Sequence, residues 1–504
     1  QKSTQFSILQ AIDRVEVAPP GFINVYLTEA SLISQTNQVL TDKEAYGSST
    51  QEKKRIVVEF TDPNPFKEFH IGHLYSNAVG ESLCRLFSSI GHTVRRVNYQ
   101  GDVGLHVAKA IWGIHALGGS KKLEELEGKT LNVRVNFLGK AYAEGARAYE
   151  KNKNSAEEMK DINYLIFIAA SEYFKEKHGL EPVVDYRKYY RGDAQSFESK
   201  LGEVRHLYET GRAWSLEYFE TIYHRLGTTF DGYYFESTVG ELGMKIVREH
   251  SNDGVFEESE GAVVYRGEKH GLHTRVFINK LGLPTYESKE LGLAPSKEKD
   301  WPYDESYIVT ANEINEYFKV LIAALTDINP DLGKKTHHVG HGMVRLPEGK
   351  MSSRTGNILT GEWLLDEAKR QILEYLHKTN RNYTKEDQEL IGERAAVAAI
   401  KYSLLKVSLP SNISFDINTS ISFDGDSGPY LQYTYARCKS VLRKASGQPS
   451  PTQGLALNSE ERAVARLIMY FPEVVAKAAS DLSPSGLCTY LFELAQAFNL
   501  FYAE

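Results

Sequence analysis

Cysteine is scarce in this chain. Cys84, Cys438 and Cys488 are the three it carries in 504 residues, odd in number and far apart. That excludes a disulfide framework or a cysteine-built metal cluster and fits a reducing, cytoplasmic setting. Long apolar runs are missing as well. No stretch approaches the roughly 18 residues of a membrane span, so a transmembrane helix is not expected. The N-terminal stretch lacks the charged-then-apolar pattern of a signal peptide. Positive charge is not in excess either: 59 Lys and Arg stand against 66 Asp and Glu, a net charge of -7. The protein as a whole is therefore no basic nucleic-acid binder, and any RNA contact needs a local patch. What is present, 41% apolar and 25% charged residues, is the composition of an ordinary globular protein. The length predicts about two to four domains.

The chain is organised around EFTDPNPFKEFHIGHLYSNAVG, Glu59 to Gly80. A mostly apolar run, Ile56 to Phe60, stops at Thr61-Asp62-Pro63-Asn64-Pro65, where two prolines forbid a continuing strand. His70-Ile71-Gly72-His73 follows, and a helical pattern runs on to Gly91. Histidines three apart share one helix face. A helix N-terminus with free amides and two imidazoles suits a polyphosphate, and such donors stabilise charge that builds in a transition state. A second strand, Thr93 to Tyr99, completes a βαβ unit with the motif at a strand's C-terminal end, where open parallel sheets bind ligands.

Gln1 to about Ser48, with a turn at Pro19-Pro20-Gly21 and a strand from Phe22 to Leu27, reads as the remnant of a larger N-terminal domain. Gly101-Asp102-Val103-Gly104 reads as a plain tight turn or as a floor for a cationic or hydroxylated ligand. From about Gly118 to Arg191 the chain turns charged and helical, an insertion between two halves of a sheet. Strand-like segments resume at Arg275 to Asn279 and Tyr307 to Ala311. A Gly-rich stretch then carries Lys350-Met351-Ser352-Ser353-Arg354, cations and hydroxyls suited to a triphosphate. After about Thr379 a period near 3.6 dominates, which predicts a helical bundle. Lys401 and Lys406 flank Tyr402 there, and Tyr433, Arg437 and Lys444 sit at helical spacing. They form either a core face with a solvated charged side or a surface for RNA, aromatics on bases and cations on phosphates.

Together these pieces resemble the class I aminoacyl-tRNA synthetases, the arginyl-tRNA synthetases in particular, collinearly from about Val15 to Tyr502. The marks are APPGFINVYL, PNPFKEFHIGH, NYQGDVG, FDGYYFES, LPTYESKELGLA and GPYLQYTYARCKSVL. The resemblance implies an α/β fold: a Rossmann-like parallel-sheet catalytic domain over 49–378 with the helical insertion at about 118–191. An α-helical anticodon-binding domain over 379–504 would follow, and 1–48 would be an α+β remnant. It implies L-arginine, ATP and tRNA(Arg) as ligands, Mg2+ carried by ATP with no dedicated protein metal site, and a monomer. His70, His73, Lys67, Lys350 and Arg354 would be catalytic. Phe69, Gly72, His73, Gly340, Met343, Val344, Met351, Ser352 and Ser353 would bind ATP. Asn64, His73, Asn98, Asp102, Tyr286, Glu290 and Glu313 would bind arginine, and Lys401, Lys406, Tyr433, Arg437 and Lys444 tRNA.

Three positions depart from the family pattern. Ser353 replaces the second Lys of Lys-Met-Ser-Lys-Ser, with Arg354 one position later, so Lys67 with Lys350 or Arg354 would supply the missing cation. Glu290 stands for the arginine-binding Asp, and Glu313 for a more usual Gln. The alternatives are a class I synthetase for another amino acid and a catalytically silent tRNA-binding paralogue.

Overall fold

The structure, a computed structural model, describes residues 11–48, 53–182, 184–190, 192–345, 360–379, 383–445 and 456–504. An antiparallel hairpin of β1 (Ile12–Ala18) and β2 (Phe22–Leu27) turns at Pro19-Pro20-Gly21 and leads into α1 (Glu29–Asp42). This segment docks on the C-terminal helices: Tyr46 Oη donates to the Ile468 carbonyl at 3.0 Å, and Arg462 pairs with Glu29 at 2.7 Å.

β3 (Arg55–Phe60) is buried along its length after Arg55. A strand apolar on both faces belongs in the middle of a parallel sheet covered on both sides. Its residues alternate between two cores, Val57 facing one and Ile56, Val58 and Phe60 the other. α2 (Ile71–Ser89) and β4 (Thr93–Gln100) complete the βαβ unit, β4 parallel to β3. Five helices follow: α3 (Leu105–Ala116), α4 (Gly119–Glu127), α5 (Leu131–Lys151), α6 (Lys153–His178) and α7 (Phe197–Leu226). The helical stretch expected over about 118–191 thus extends in both directions. α3 escaped notice because its sequence, LHVAKAIWGIHA, has no acidic residue and lacks the charge-rich signature of its neighbours.

β5 (Gly232–Phe235) returns beside β4 and passes directly into α8 (Glu236–Glu249). A small antiparallel sheet of β6 (Phe256–Ser259), β7 (Ala262–Tyr265) and β8 (Arg275–Ile278) precedes α9 (Tyr286–Asp300). β9 (Glu305–Ala311), α10 (Asn315–Ile328), α11 (Pro330–Lys335) and β10 (Thr336–His341) finish the main sheet. Its order is β10-β9-β3-β4-β5, all parallel. This is the doubly wound arrangement, with its switch point between β3 and β9, where such folds form a crevice beyond the strands' C-terminal ends.

β11 (Val344–Arg345) pairs with β12 (Ile413–Ser414), tying the sheet to the helices α12 (Gly361–Lys378) and α13 (Lys385–Leu405). The short α14 (Ile417–Ser420), then α15 (Gly428–Lys444), α16 (Ser459–Ser480) and α17 (Pro484–Ala503), complete the predicted bundle. α2 is enclosed between the sheet and this bundle, and 13 of its 19 residues are buried, polar Ser76, Asn77 and Glu81 among them.

Candidate active site

At one end of the crevice, His70 caps α2. Its Nδ1 accepts from the Gly72 amide at 3.1 Å, while His73 Nδ1 accepts from the His70 amide at 3.2 Å. The two rings stack with centroids 3.6 Å apart. An Nδ1 that accepts leaves the ring proton on Nε2. Burial, then the nearby charge of Lys67 for His70, and of His70 and Lys67 for His73, hold both pKa values below the ordinary histidine value. The pair is therefore neutral at pH 7, with both Nε2–H groups free to donate to an anion. Lys67 is half-buried, its ammonium 5.4 Å from the centre of the Tyr142 ring. Burial lowers its pKa, and Glu236 partly restores it.

The other end holds carboxylates. Glu59, 1% exposed inside β3, pairs with the buried Lys297 of α9 at 2.6 Å. Glu236, at the β5–α8 junction, forms a buried ion pair with Lys289. Asp62 accepts from the Tyr99 amide at 2.8 Å. Glu290, one residue beyond Lys289, has no hydrogen-bond or ion-pair partner among the described residues. Burial first, then Glu59, Asp62 and Glu236, push its pKa well above the usual carboxylate range. Burial and Glu59 do the same to Asp62, and burial raises Glu236 despite Lys289. Gly101 makes this crowding possible: a Cβ there would lie 2.2 Å from Asn64 Oδ1 and 3.3 Å from Glu236 Cδ. Asn64 and Glu236 thus meet at one point, with Lys67 and Tyr286 close enough to Glu236 to exchange electrostatic influence with it.

Several expected arginine-site residues take other roles. Asp102 is 0% exposed and fully engaged by Arg212 Nε at 2.9 Å, Tyr208 Oη at 3.1 Å, and the Ser237 amide and hydroxyl at 3.0 and 2.8 Å. A carboxylate with these four donors has no free face for a ligand, so Asp102 is a structural anchor. Asn98 is also fully enclosed, its amide donating to Tyr223 Oη at 3.2 Å, which places it beneath the crevice. Glu313 is exposed in the short turn after β9, apart from the groups around Glu290. Tyr286 is exposed at the start of α9, with Lys289 4.5 Å from its ring. Glu236, Lys289 and Tyr317 were missed. Tyr317 feels Glu290, Glu287 and Glu236, all of which add to its raised pKa. Glu236 and Lys289 lie within the quoted stretches FDGYYFES and LPTYESKELGLA, whereas no local pattern marks Tyr317.

Phe69 is fully buried behind His73, ring centroids 5.3 Å apart, and its carbonyl accepts from the Gly361 amide at 2.7 Å. It supports the histidine and has no exposed surface for ATP. Gly340 is the penultimate residue of β10, and the Met343 amide donates to Asn412 at 2.8 Å just before β11. Lys350, Met351, Ser352, Ser353 and Arg354 lie outside the described residues. The described residue that follows them, Thr360, bridges to His70.

In the helical bundle the cations divide. Lys401 is turned inward, donating to the Leu226 carbonyl at the end of α7; burial and Arg85 lower its pKa to about 8. Lys406 binds the Asp426 carbonyl at 2.8 Å and its carboxylate at 3.2 Å. Lys401 packs on the end of α7 and Lys406 on the loop that leads into α15. Arg437 donates to Asn499 at 2.6 Å and Tyr433 at 2.8 Å and lies over the rings of Tyr433 and Tyr502. Lys444 is exposed at the end of α15, and Tyr435 and Lys439 form an outward-facing aromatic–cation pair.

Residues 35–417 match the family of class I tRNA synthetase (R) catalytic domains, and 431–504 match the DALR anticodon binding domain. The arginine–tRNA ligase of Treponema denticola is 32% identical, covering 96% of this chain and 78% of its own. That of Bacteroides thetaiotaomicron is 31% identical, covering 96% and 80%. In fold, the arginyl-tRNA synthetase of Thermus thermophilus superposes with a TM-score of 0.73 at 23% identity, over 98% of this chain and 81% of its own. That of Plasmodium falciparum gives 0.73 at 20% identity, over 100% and 82%.

Proposed function

The chain belongs to the class I tRNA synthetases for arginine and joins arginine to tRNA; we propose that it does so with a divided crevice, carboxylates at one end and neutral imidazoles at the other. The supporting observation is Glu290, a half-buried carboxylate without a hydrogen-bond or ion-pair partner among the described residues, with Glu59, Asp62 and Glu236 close enough to raise its pKa. A guanidinium is the cation that relieves this repulsion with a bidentate grip. Glu236 and Asn64 flank it, and Tyr286 covers it at the mouth.

The substrate carboxylate then faces the His70 and His73 end. One of its oxygens attacks the α-phosphorus of ATP, the bond to the bridging oxygen breaks, and pyrophosphate leaves. The Nε2–H groups and the Lys67 ammonium receive the charge gathering on the phosphates, and their work is positioning and electrostatic. ATP enters as its Mg2+ complex. Lys67, His70 and His73 are cations and donors, so Mg2+ is held by the triphosphate oxygens. The terminal ribose hydroxyl of tRNA then attacks the arginyl carbonyl and AMP leaves. Tyr433, Arg437 and Lys444, with Tyr435 and Lys439, are the residues proposed for the tRNA. A cytoplasmic monomer completes the proposal; the three unpaired thiols suit a reducing compartment.

An amino-acid panel of ATP–pyrophosphate exchange, run with and without tRNA, tests this directly. L-Arginine alone should support exchange, since lysine lacks the fork and citrulline the charge. Exchange of comparable rate with lysine, glutamine or citrulline would sink the reading.

A further inference from the structure

One helix touches the Pro-Asn-Pro turn, β4 and the β5–α8 junction of the crevice. On α7, the Ser215 hydroxyl accepts from the Phe66 amide at 2.9 Å in the Pro-Asn-Pro turn, and Tyr223 receives Asn98. Gly211 admits the turn closely: a Cβ would lie 2.2 Å from the Phe66 ring. Between them, Arg212 reaches the segment that carries Glu236 from both sides. Its guanidinium stacks 4.1 Å from the centre of the Phe235 ring, the residue before Glu236. Its Nε holds Asp102 at 2.9 Å, and Asp102 in turn holds the amide and hydroxyl of Ser237, the residue after. Tyr208, one turn earlier on α7, donates to the same carboxylate. The Asp102 carboxylate at the first turn of α8 also suits the positive end of that helix.

We propose that Arg212 and Asp102 form a positioning pair that fixes Glu236 for arginine recognition by clamping Phe235 and Ser237 on either side of it. Neither residue meets the substrate. Lys289 fixes the Glu236 side chain from α9, while the pair fixes its backbone from α7. Two opposed constraints are what a carboxylate needs to meet a planar cation in one geometry, and misplacement of about 1 Å at such a site costs roughly 10²-fold. The proposal rests on the reading that Glu236 lies in the arginine pocket.

The test is ATP–pyrophosphate exchange in the presence of tRNA, with separate KM values for arginine and ATP and a thermal melt of each variant. Arg212→Met should raise the arginine KM about 10- to 10²-fold and leave the ATP KM within about twofold. Arg212→Lys should recover part of the loss, because an ammonium retains Asp102 but not the full stack on Phe235. The double variant Asp102→Asn/Arg212→Met removes the stranded buried charge, so its melting temperature should rise above that of Arg212→Met. Its arginine KM should stay high. Recovery of KM together with stability, or an Arg212→Met arginine KM within about twofold of wild type, overturns the proposal. If Arg212→Met does not fold, Phe235→Leu reads the same clamp from its other partner, with the same selective rise expected. Glu236→Gln separates the premise: an unchanged arginine KM there refutes the pocket reading itself, whereas an impaired Glu236→Gln beside an unimpaired Arg212→Met refutes only the clamp.

Discussion

The two ends of the crevice are built on opposite principles. The end proposed for phosphate is local: His70, Gly72 and His73 satisfy one another within a single turn, and the capping bonds occupy both Nδ1 atoms. The carboxylate end is assembled from afar, with Lys297 reaching Glu59 across 238 positions and Lys289 reaching Glu236 across 53. On the proposed reading, the first end presents donors to charge that appears during the reaction. The second gathers four carboxylates, Glu59, Asp62, Glu236 and Glu290, around the two ammoniums of Lys297 and Lys289. An interaction that matters only in the transition state changes turnover, whereas one that recognises the ground state changes KM.

The largest effect should come from Lys67. Removing a preorganised cation costs about 2.7–4 kcal/mol of barrier, so Lys67→Ala should slow adenylation by roughly 10²–10³ while the ATP KM changes far less. Measured beside Arg354→Ala, a Lys67→Ala enzyme within about twofold of wild type and a crippled Arg354→Ala enzyme would move the role to the signature loop. A smaller change is expected on the bundle. Arg437→Met with Lys444→Met should raise the tRNA KM by about tenfold, leave the ATP KM alone and lower the slope of log K against log salt by up to about 2. An unchanged tRNA KM and salt slope in the folded double variant would return both residues to packing. The smallest effect belongs to Glu313: exposed and outside the carboxylate group, Glu313→Gln should leave the arginine KM within about twofold. A tenfold rise would put it back in the pocket and break the division drawn between the two ends.

The same contrast explains what the sequence disclosed. The strand, turn, histidine motif and helix from Ile56 to Ser89 form a contiguous pattern, and the structure reproduces it closely. The bundle helices were legible from their period. Glu290 entered only through the family resemblance, in the place of an arginine-binding Asp. The use of Asp102 was not, because the four donors that consume it come from residues 106 to 135 positions away. Lys401 and Lys406 looked like a surface because a helical period shows that a face exists without showing what packs on it. Lys401 found the end of α7, 175 positions earlier.

The most direct test of the central claim is the arginine KM as a function of pH, for wild type and Glu290→Gln, by exchange at saturating ATP. The pKa of Glu290 is raised in the free enzyme, and a guanidinium binds only its ionised form. Arginine binding should therefore tighten as pH rises through that raised value and release a proton. The ATP KM should carry no matching dependence from His70 and His73, which stay neutral because their pKa values are lowered. In Glu290→Gln the arginine KM should be higher by roughly 30-fold or more, from about 2–5 kcal/mol for truncating one partner of a buried charge pair, and flat across the same range. A wild-type arginine KM independent of pH, or a Glu290→Gln enzyme with the wild-type value and profile, would contradict the account.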